Sequence, residues 1–462
     1  MNVSTGTHSP RAEPDHLLPL AATVGRARSY VRARGTVRWV VLAGRVVLVW
    51  VPIYALLASS LSPLAAAGTA TVVTIPWVLA LGAALSTYFT LGPGIASAVG
   101  TGTGLVVVSA LDRWAPGIDF DAPALAQTAV AVFILSATWA HAVRIVVKRR
   151  VLLIGSGPLA SEVIEELNRD RAPFTVVGVI GEVTEADGDL VSLGTLEQLA
   201  DVVEAQRPDL VILSDDGIGA SAVEPLLDLA ALGFKVVGIS HFFEHALGRV
   251  PLRHLTPAWF MSMMHLRQKA YTRVAKRAFD LVVASVGLLI VAPLLPLLAG
   301  LVRLTRGRIV YRQIRIGEGG RHYTMYKFRT MRADAEGTGP LFARERDPRV
   351  TRVGRLLRQT HLDEIPQLWN VLKGEMSIVG PRPERPEFVE MLEQTVPFWT
   401  RRLLVKPGIT GWAQLRCGYA YDSDSTAEKL SYDLWYLRNR NVVVDLAICA
   451  KTVPALLFKQ GR

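Results

Sequence analysis

Cysteine is nearly missing from this sequence. Cys417 and Cys449 are the only two in 462 residues, and no CxxC pair or metal-type cluster occurs. That excludes a disulfide framework and a zinc site of familiar spacing, and a reduced cytoplasmic setting fits best. Acid is also scarce. Asp and Glu total 40 against 51 Lys and Arg, a formal charge of +11. The imbalance points to anionic partners, whether nucleic acid, lipid headgroups or phosphorylated small molecules. Internal repeats and low-complexity tracts are absent. The N-terminal stretch holds Arg11, Arg26, Arg28, Arg32, Arg34 and Arg38 but no single short apolar core with a cleavage site, the wrong shape for a removable signal peptide.

What the sequence has in plenty is apolar length. Half of it is hydrophobic, and its size suits two or three domains rather than one soluble globule. Windows of about 19 residues place membrane helices near 41–62, 68–90, 93–111 and 123–143, bounded by Gly or Pro turns such as "LGPG". Arg45 lies near enough to the start of the first to snorkel. Six arginines precede the first span, and Arg144, Lys148, Arg149 and Arg150 follow the fourth. The loop "DRWAPGIDFDAP" sets Asp112, Asp119 and Asp121 against Arg113 alone. By the positive-inside rule both ends of the bundle face the cytoplasm. With no intramembrane ionisable cluster, the bundle reads as an anchor.

From residue 151 the periodicity changes. "VLLIG", "FTVVGVIG", "DLVILSDD" and "FKVVGIS" read as buried strands alternating with helical stretches, a doubly wound α/β pattern. In "GSGPLA", Gly155, Gly157 and Ala160 take the spacing that lets a backbone approach a pyrophosphate. No acid closes the second strand where a ribose contact would stand, Glu182 coming only after a glycine. A tight strand-to-helix turn with no ligand therefore stays open beside a nucleotide site.

The run "LVVASVGLLIVAPLLPLLAGLV", 281–302, is uncharged and broken by Pro293 and Pro296. Basic residues flank both ends: Arg267, Lys269, Arg273, Lys276 and Arg277 before it, and Arg303, Arg306, Arg308, Arg312 and Arg315 after it. Translocating either set would defy the positive-inside bias, so a helix that dips in and returns is expected. The alternative is an ordinary fifth span.

"RQTHLDEIPQLWNVLKGEMSIVGPRPE", 358–384, carries the chemistry. Ile365, Leu368, Trp369 and Leu372 make an apolar helical stripe. Asp363 is expected as its N-cap, Pro366 in the first turn and Gly374 at the far end. That sets Asp363 and Glu364 at the positive end of a helix dipole. "SIVG" reads as a strand into a stiff Gly380-Pro381-Arg382-Pro383 loop. Alternation in "HYTMYKFRTM" puts Lys327 and Arg329 on one face, Tyr326 and Phe328 on the other. Two adjacent acids with several bases suit phosphoryl transfer through an acyl phosphate. Two like charges about 4 Å apart repel by roughly 4 kcal/mol at an effective dielectric near 20, so Mg²⁺ on the carboxylates and bidentate Arg358 and Arg382 are expected to cancel the charge.

Residues 270–462 resemble the bacterial monotopic polyprenyl-phosphate phosphoglycosyl transferases, the initiating sugar transferases. The motifs are "KRAFD", the Pro-broken hairpin, "RQIRIG", "YKFRTM", "LDEIPQLWNVLKGEMSIVGPRPE", "KPGITGWAQL" and "DLWYLRN". The preceding spans and Rossmann-like part match the family's large members. The resemblance implies a ping-pong reaction. Asp363 takes a phosphosugar from a UDP-sugar, releasing UMP, and undecaprenyl phosphate then takes it from Asp363. Glu364 shares Mg²⁺ with Asp363, while Arg358, Arg382, Lys327 and Arg329 bind phosphate. Partners are then membrane lipids and downstream glycosyltransferases, not nucleic acid, and a homodimer is compatible. Two departures stand out: Ala292 replaces the usual Ser before Pro293, and Gly307-Arg308 replaces Gly-Pro.

The expected architecture is an α-helical membrane bundle, an α/β Rossmann-like domain, and a mixed α/β catalytic domain with a re-entrant membrane hairpin. The boundaries are a basic tail 1–38, bundle 39–145, Rossmann-like domain 146–250, linker 251–270, and catalytic domain 271–462 with its re-entrant helix at 278–303. The expected location is the bacterial inner membrane, with the catalytic domain cytoplasmic. His361, Trp412, Cys417 and Cys449 read as structural, and Tyr432, Trp435 and Tyr436 as interfacial belt or core. Two other functions stay open: a membrane-tethered NAD-dependent sugar-nucleotide oxidoreductase using Gly155 and Gly157, and a non-catalytic scaffold of polysaccharide assembly.

Overall fold

The computed structural model describes residues 39–59, 61–87, 91–114, 122–155, 158–168, 173–181, 192–214, 221–229, 233–252, 255, 259, 270–305, 307–332, 347–417 and 423–458. Gly157 lies outside the described residues. Two compact units emerge, Met1–Phe242 and Phe243–Arg462.

The first unit opens with four apolar helices: α1 (Trp39–Leu57), α2 (Pro63–Thr87), α3 (Pro93–Trp114) and α4 (Ala122–Val146). The first turn of chain comes sooner than hydropathy suggests, because Pro63 starts α2. Among the described residues, α1, α2 and α4 are long and apolar enough to cross a membrane, as is Arg273–Arg303 in the second unit. The apolar part of α3, Pro93–Ser109, is shorter. Glycines bring the helices close, as small residues do where lipid gives no hydrophobic drive to pack. A Cβ on Gly100 would stand 2.7 Å from Leu81 Cα, and one on Gly104 would enter the Trp77 ring.

All four expected strands form: β1 (Arg149–Ile154), β2 (Phe174–Ile180), β3 (Leu210–Leu213) and β4 (Lys235–Gly238). Between them come α5 (Pro158–Asn168), α6 (Leu199–Gln206) and α7 (Val223–Asp228). They make one parallel sheet in the order β2-β1-β3-β4. Central β1 is buried from Val151 to Ile154, as a strand covered on both faces must be. Gly155 ends it at φ +100, its N–H bonded to Ile180 O.

The second unit begins its apolar segment with α8 (Ala270–Val291), passes through a 3-10 turn at Ala292–Leu294, and continues as α9 (Leu295–Arg303). Pro293 and Pro296 fall in the opening turns of these two pieces, where a missing N–H breaks no helical bond. Both ends of the segment are tied to the folded unit. Arg277 donates to Val371 O and Leu372 O at 2.7 Å each, and Gly287 lies against Leu368. Leu298 and Val302 pack with Phe328 and Leu357 in a cluster that Leu362 and Ile365 also join. Between these ties Val282, Val286, Leu289, Ile290 and Leu297 are exposed.

The remaining elements are an antiparallel hairpin β5 (Val310–Ile316) and β6 (His322–Phe328), then α10 (Arg352–Gln359), α11 (Gln367–Lys373), β7 (Ser377–Val379), α12 (Pro386–Thr395), β8 (Gly408–Thr410), α13 (Trp412–Arg416), α14 (Ser423–Asn439) and α15 (Val442–Phe458). Lys276 stands 2.7 Å from Asp445 and 3.2 Å from Asp280, which accepts from Ser377 Oγ and Ile378 N. These bonds join α8, β7 and α15. Tyr436 is core, donating to Val379 O, as is Trp435, whose Nε1 donates to Glu244 O.

Candidate active site

The acid pair stands on a short 3-10 turn, Leu362–Glu364, between α10 and α11. Asp363 is therefore not the N-cap of α11, and no side-chain cap bond forms there. Pro366 holds that place, and α11 runs to Gly374 in the left-handed region. The reason is His361, itself left-handed at φ +53, which turns the chain before the helix can start. The apolar stripe is also not the inward face. On α11 the buried residues are Gln367, Asn370 and Val371, while Trp369 is 54% exposed. Asn370 explains the inversion: it accepts from Tyr326 N, and its Nδ2 reaches Thr324 O and Glu375. Polar bonds to β6 pin the inner face, and Leu368 turns toward α8.

The two carboxylates differ sharply. Glu364 Oε1 accepts from Lys327 Nζ at 2.7 Å and Arg382 Nη2 at 3.2 Å. Burial alone would raise its carboxyl, but these two cations outweigh that and hold it far below the usual carboxylate range. Asp363 is 7% exposed, and among the described residues no hydrogen bond or ion pair reaches its carboxylate. Burial pushes this carboxyl up. Lys327 opposes that rise, neighbouring Glu364 adds to it, and Arg358 and Arg382 pull it down. Burial likewise pushes the Lys327 ammonium down.

Arg358 comes from α10, near enough for its charge to act on Asp363. Thr351 caps that helix by accepting from Gly354 N, and Gly354 sits directly on Thr330 O, where a Cβ would collide. The close approach lets Arg358 Nε donate to Thr330 Oγ1 at 2.9 Å. Arg382 arrives on the loop after β7.

Arg329 is not brought to the acids. β6 ends at Phe328, so strand alternation does not extend to 329. Its guanidinium turns back to Thr305 Oγ1 at 2.7 Å and Val302 O at 3.4 Å, packed on Gly307. Gly155 lies in the other unit. Arg402 and Glu384, which hold the Arg382 loop from behind, carry no periodic signal; the acid in "PRPE" was the one visible hint.

A buried carboxylate with no hydrogen bond or ion pair among the described residues, beside a second one paired with Lys327 and Arg382 and with Arg358 close by, can attack a phosphorus and bind the anion around it. Fold and site thus define a protein with helices long and apolar enough to cross a membrane and a buried acid pair among basic side chains. The family described as bacterial sugar transferase matches residues 271–459. A UDP-N-acetylgalactosamine-undecaprenyl-phosphate N-acetylgalactosaminephosphotransferase of Aeromonas hydrophila is 37% identical over 260 residues, 56% of this chain and 61% of the relative. A UDP-glucose:undecaprenyl-phosphate glucose-1-phosphate transferase of Escherichia coli K12 is 33% identical over 313 residues, 66% and 67%. An uncharacterized sugar transferase of Bacillus subtilis 168 is 39% identical over 193 residues, 41% and 90%. The chain belongs to this bacterial sugar transferase family, whose named relatives are undecaprenyl-phosphate sugar phosphotransferases. It spans about three fifths of the Aeromonas relative's length.

Proposed function

We propose that this chain moves a sugar 1-phosphate from a UDP-sugar to undecaprenyl phosphate in two displacements at Asp363. In the first, an Asp363 oxygen attacks the β-phosphorus. The bond from that phosphorus to the bridging oxygen breaks, and its electron pair leaves with UMP. In the second, a phosphate oxygen of the lipid attacks the same phosphorus and the Asp363 oxygen leaves. Neither step requires a proton from the protein. The observation that carries this reading is the asymmetry of the acid pair: Asp363 buried with no ion pair among the described residues, Glu364 held by Lys327 and Arg382.

Arg358 and Arg382 would bind the donor phosphates, and Lys327 keeps Glu364 from adding its full charge to the repulsion. The oxygens fit for Mg²⁺ are those of Asp363 and Glu364 Oε2, hard donors on two carboxylates, a set that would suit an ion completing its shell with substrate phosphates. When bound it supplies further cancellation of charge between carboxylate and phosphate. The family match falls on the unit holding Asp363, not on the sheet ending at Gly155, which favours the transferase over the oxidoreductase.

The apolar segment is read as re-entrant, with the catalytic unit on the cytoplasmic face of the inner membrane. Support comes from its ties. Gly287 meets Leu368, whereas Leu298 joins the cluster that includes Ile365, three residues from Leu368. A straight helix would advance about 16 Å between residues 287 and 298, so a bend at Ala292–Leu294 accounts for both contacts. The parallel sheet is read as Rossmann-like, and the lipid-linked product as the starting unit for downstream glycosyltransferases.

The test is UMP release in detergent with magnesium and polyprenyl phosphate, across UDP-glucose, UDP-galactose and their N-acetylated forms. Relatives named for N-acetylgalactosamine and for glucose put those two donors first. Asp363→Asn should lose on the order of 10⁴-fold in rate; normal release by this variant would end the proposal.

A further inference from the structure

The Arg382 side chain is 44% exposed, and the backbone that carries it is held at every step. Pro381 and Pro383 lock φ on either side, and four successive carbonyls are held. Pro381 O accepts from Gly408 N at 2.9 Å, Pro383 O from Arg315 Nη1 at 3.0 Å and Glu384 O from Ile316 N at 3.1 Å. The carbonyl of Arg382 itself accepts from Arg402 Nη2 at 3.1 Å.

Arg402 is one of two adjacent arginines in "FWTRRLL", yet its side chain is only 2% exposed. It lies in the 3-10 helix Trp399–Leu404, where residues i and i+3 eclipse. Its guanidinium accordingly stacks 4.4 Å over the Trp399 ring. Nη2 stands 2.7 Å from Asp433 Oδ2, and Nη1 3.6 Å from Glu384 Oε1. Glu384 also pairs with Lys429 at 2.6 Å and lies 3.9 Å from Arg315. Burial would raise the Glu384 carboxyl, but Lys429, Arg402 and Arg315 outweigh it and hold it at about 2. A buried ionic cluster is a poor stabiliser compared with apolar packing. This one converges on the loop that delivers a cation to Glu364.

We propose that Arg402 is a positioning residue: by holding the main-chain oxygen of Arg382, it sets where that guanidinium stands beside Glu364 and so how it meets the charge on the phosphate during transfer, without touching substrate. The kinetic consequence rests on the transferase reading above; the structural one does not.

Arg402→Lys keeps the charge and loses the planar fork. In the full-length protein it should melt within about 5 °C of wild type and lose roughly 10- to 100-fold in kcat for UMP release, with KM changing less. Arg382→Ala and the Arg382→Ala/Arg402→Lys double variant should turn over alike, since a residue acting through another adds nothing once its target is gone. Losses that multiply, or wild-type kcat in folded Arg402→Lys, would overturn the proposal. Asp433→Asn, which frees Arg402 on its far side, serves if Arg402→Lys does not fold; it should show the same non-additivity with Arg382→Ala, and additive losses would count against the idea. A cryo-EM map of whichever variant folds should show Arg382 displaced from Glu364. An undisturbed Arg382–Glu364 contact there would overturn the positioning role. Wild-type protein that releases no UMP would sink the transferase reading alone, because the map still decides the role of Arg402.

Discussion

Glu364 Oε1 pairs with two cations, while Asp363, one peptide away, makes no ion pair among the described residues. On the proposed reading Asp363 is the nucleophile and must be ionised, so its carboxyl, raised by burial, is expected to set an acid limb of activity above the ordinary Asp value. Rate rises as pH climbs through that point. Lys327 is the strongest of the charges pulling Asp363 down. Lys327→Met should therefore move the acid limb of kcat/KM to higher pH, measurable in pH profiles of UMP release. It should also cost on the order of 3 kcal/mol of stability, because Glu364 loses its nearest counter-charge; an unmoved acid limb would contradict the electrostatic account. The acids and Lys327, Arg358 and Arg382 were all legible as motif residues. Arg329 was misplaced by alternation, which says nothing about where a strand stops.

At the scale of elements, α11 shows what periodicity omits. Its apolar stripe was legible, but an apolar stripe can face lipid and a membrane helix as readily as a core. Here the inner face sets Gln367 and Asn370 beside Val371 and is held by the bonds of Asn370. The β7–β8 pair depends on backbone contact: a Cβ on Gly408 would enter the space of Gly380 N, and one on Gly411 would meet Gly380 O. Gly408→Ala should force these strands apart, lowering stability by about 3 kcal/mol in denaturant or thermal melts, and should reduce UMP release because the Arg382 loop begins there. Unchanged stability would mean that the two strands can separate without loss.

For the whole molecule, the exposed apolar residues from Val282 to Leu297 suit a lipid environment, and on the proposed re-entrant reading the basic flanks at both ends stay on one side. In a cysteine-free background, Arg321→Cys should resist an impermeant thiol reagent in intact cells and react after permeabilisation. Asp119→Cys, in the loop expected outside, should react in both. Labelling of Arg321→Cys in intact cells would place the catalytic unit outside and remove its access to nucleotide sugar.

The sequence by itself determined the apolar helices, the four parallel strands, the proline break and the acid pair with most of its basic company. Those signals are local: apolar length, short-period repetition, and glycine and proline at fixed offsets. Only the tertiary structure decided that Glu364 is ion-paired and Asp363, among the described residues, is not, that Arg329 serves the end of α9, that α11 turns Gln367 and Asn370 inward with Val371, and that Arg402 grips the loop of Arg382. Burial and Coulomb forces act across space between groups that lie tens of residues apart, and no period along the chain records which of them will meet.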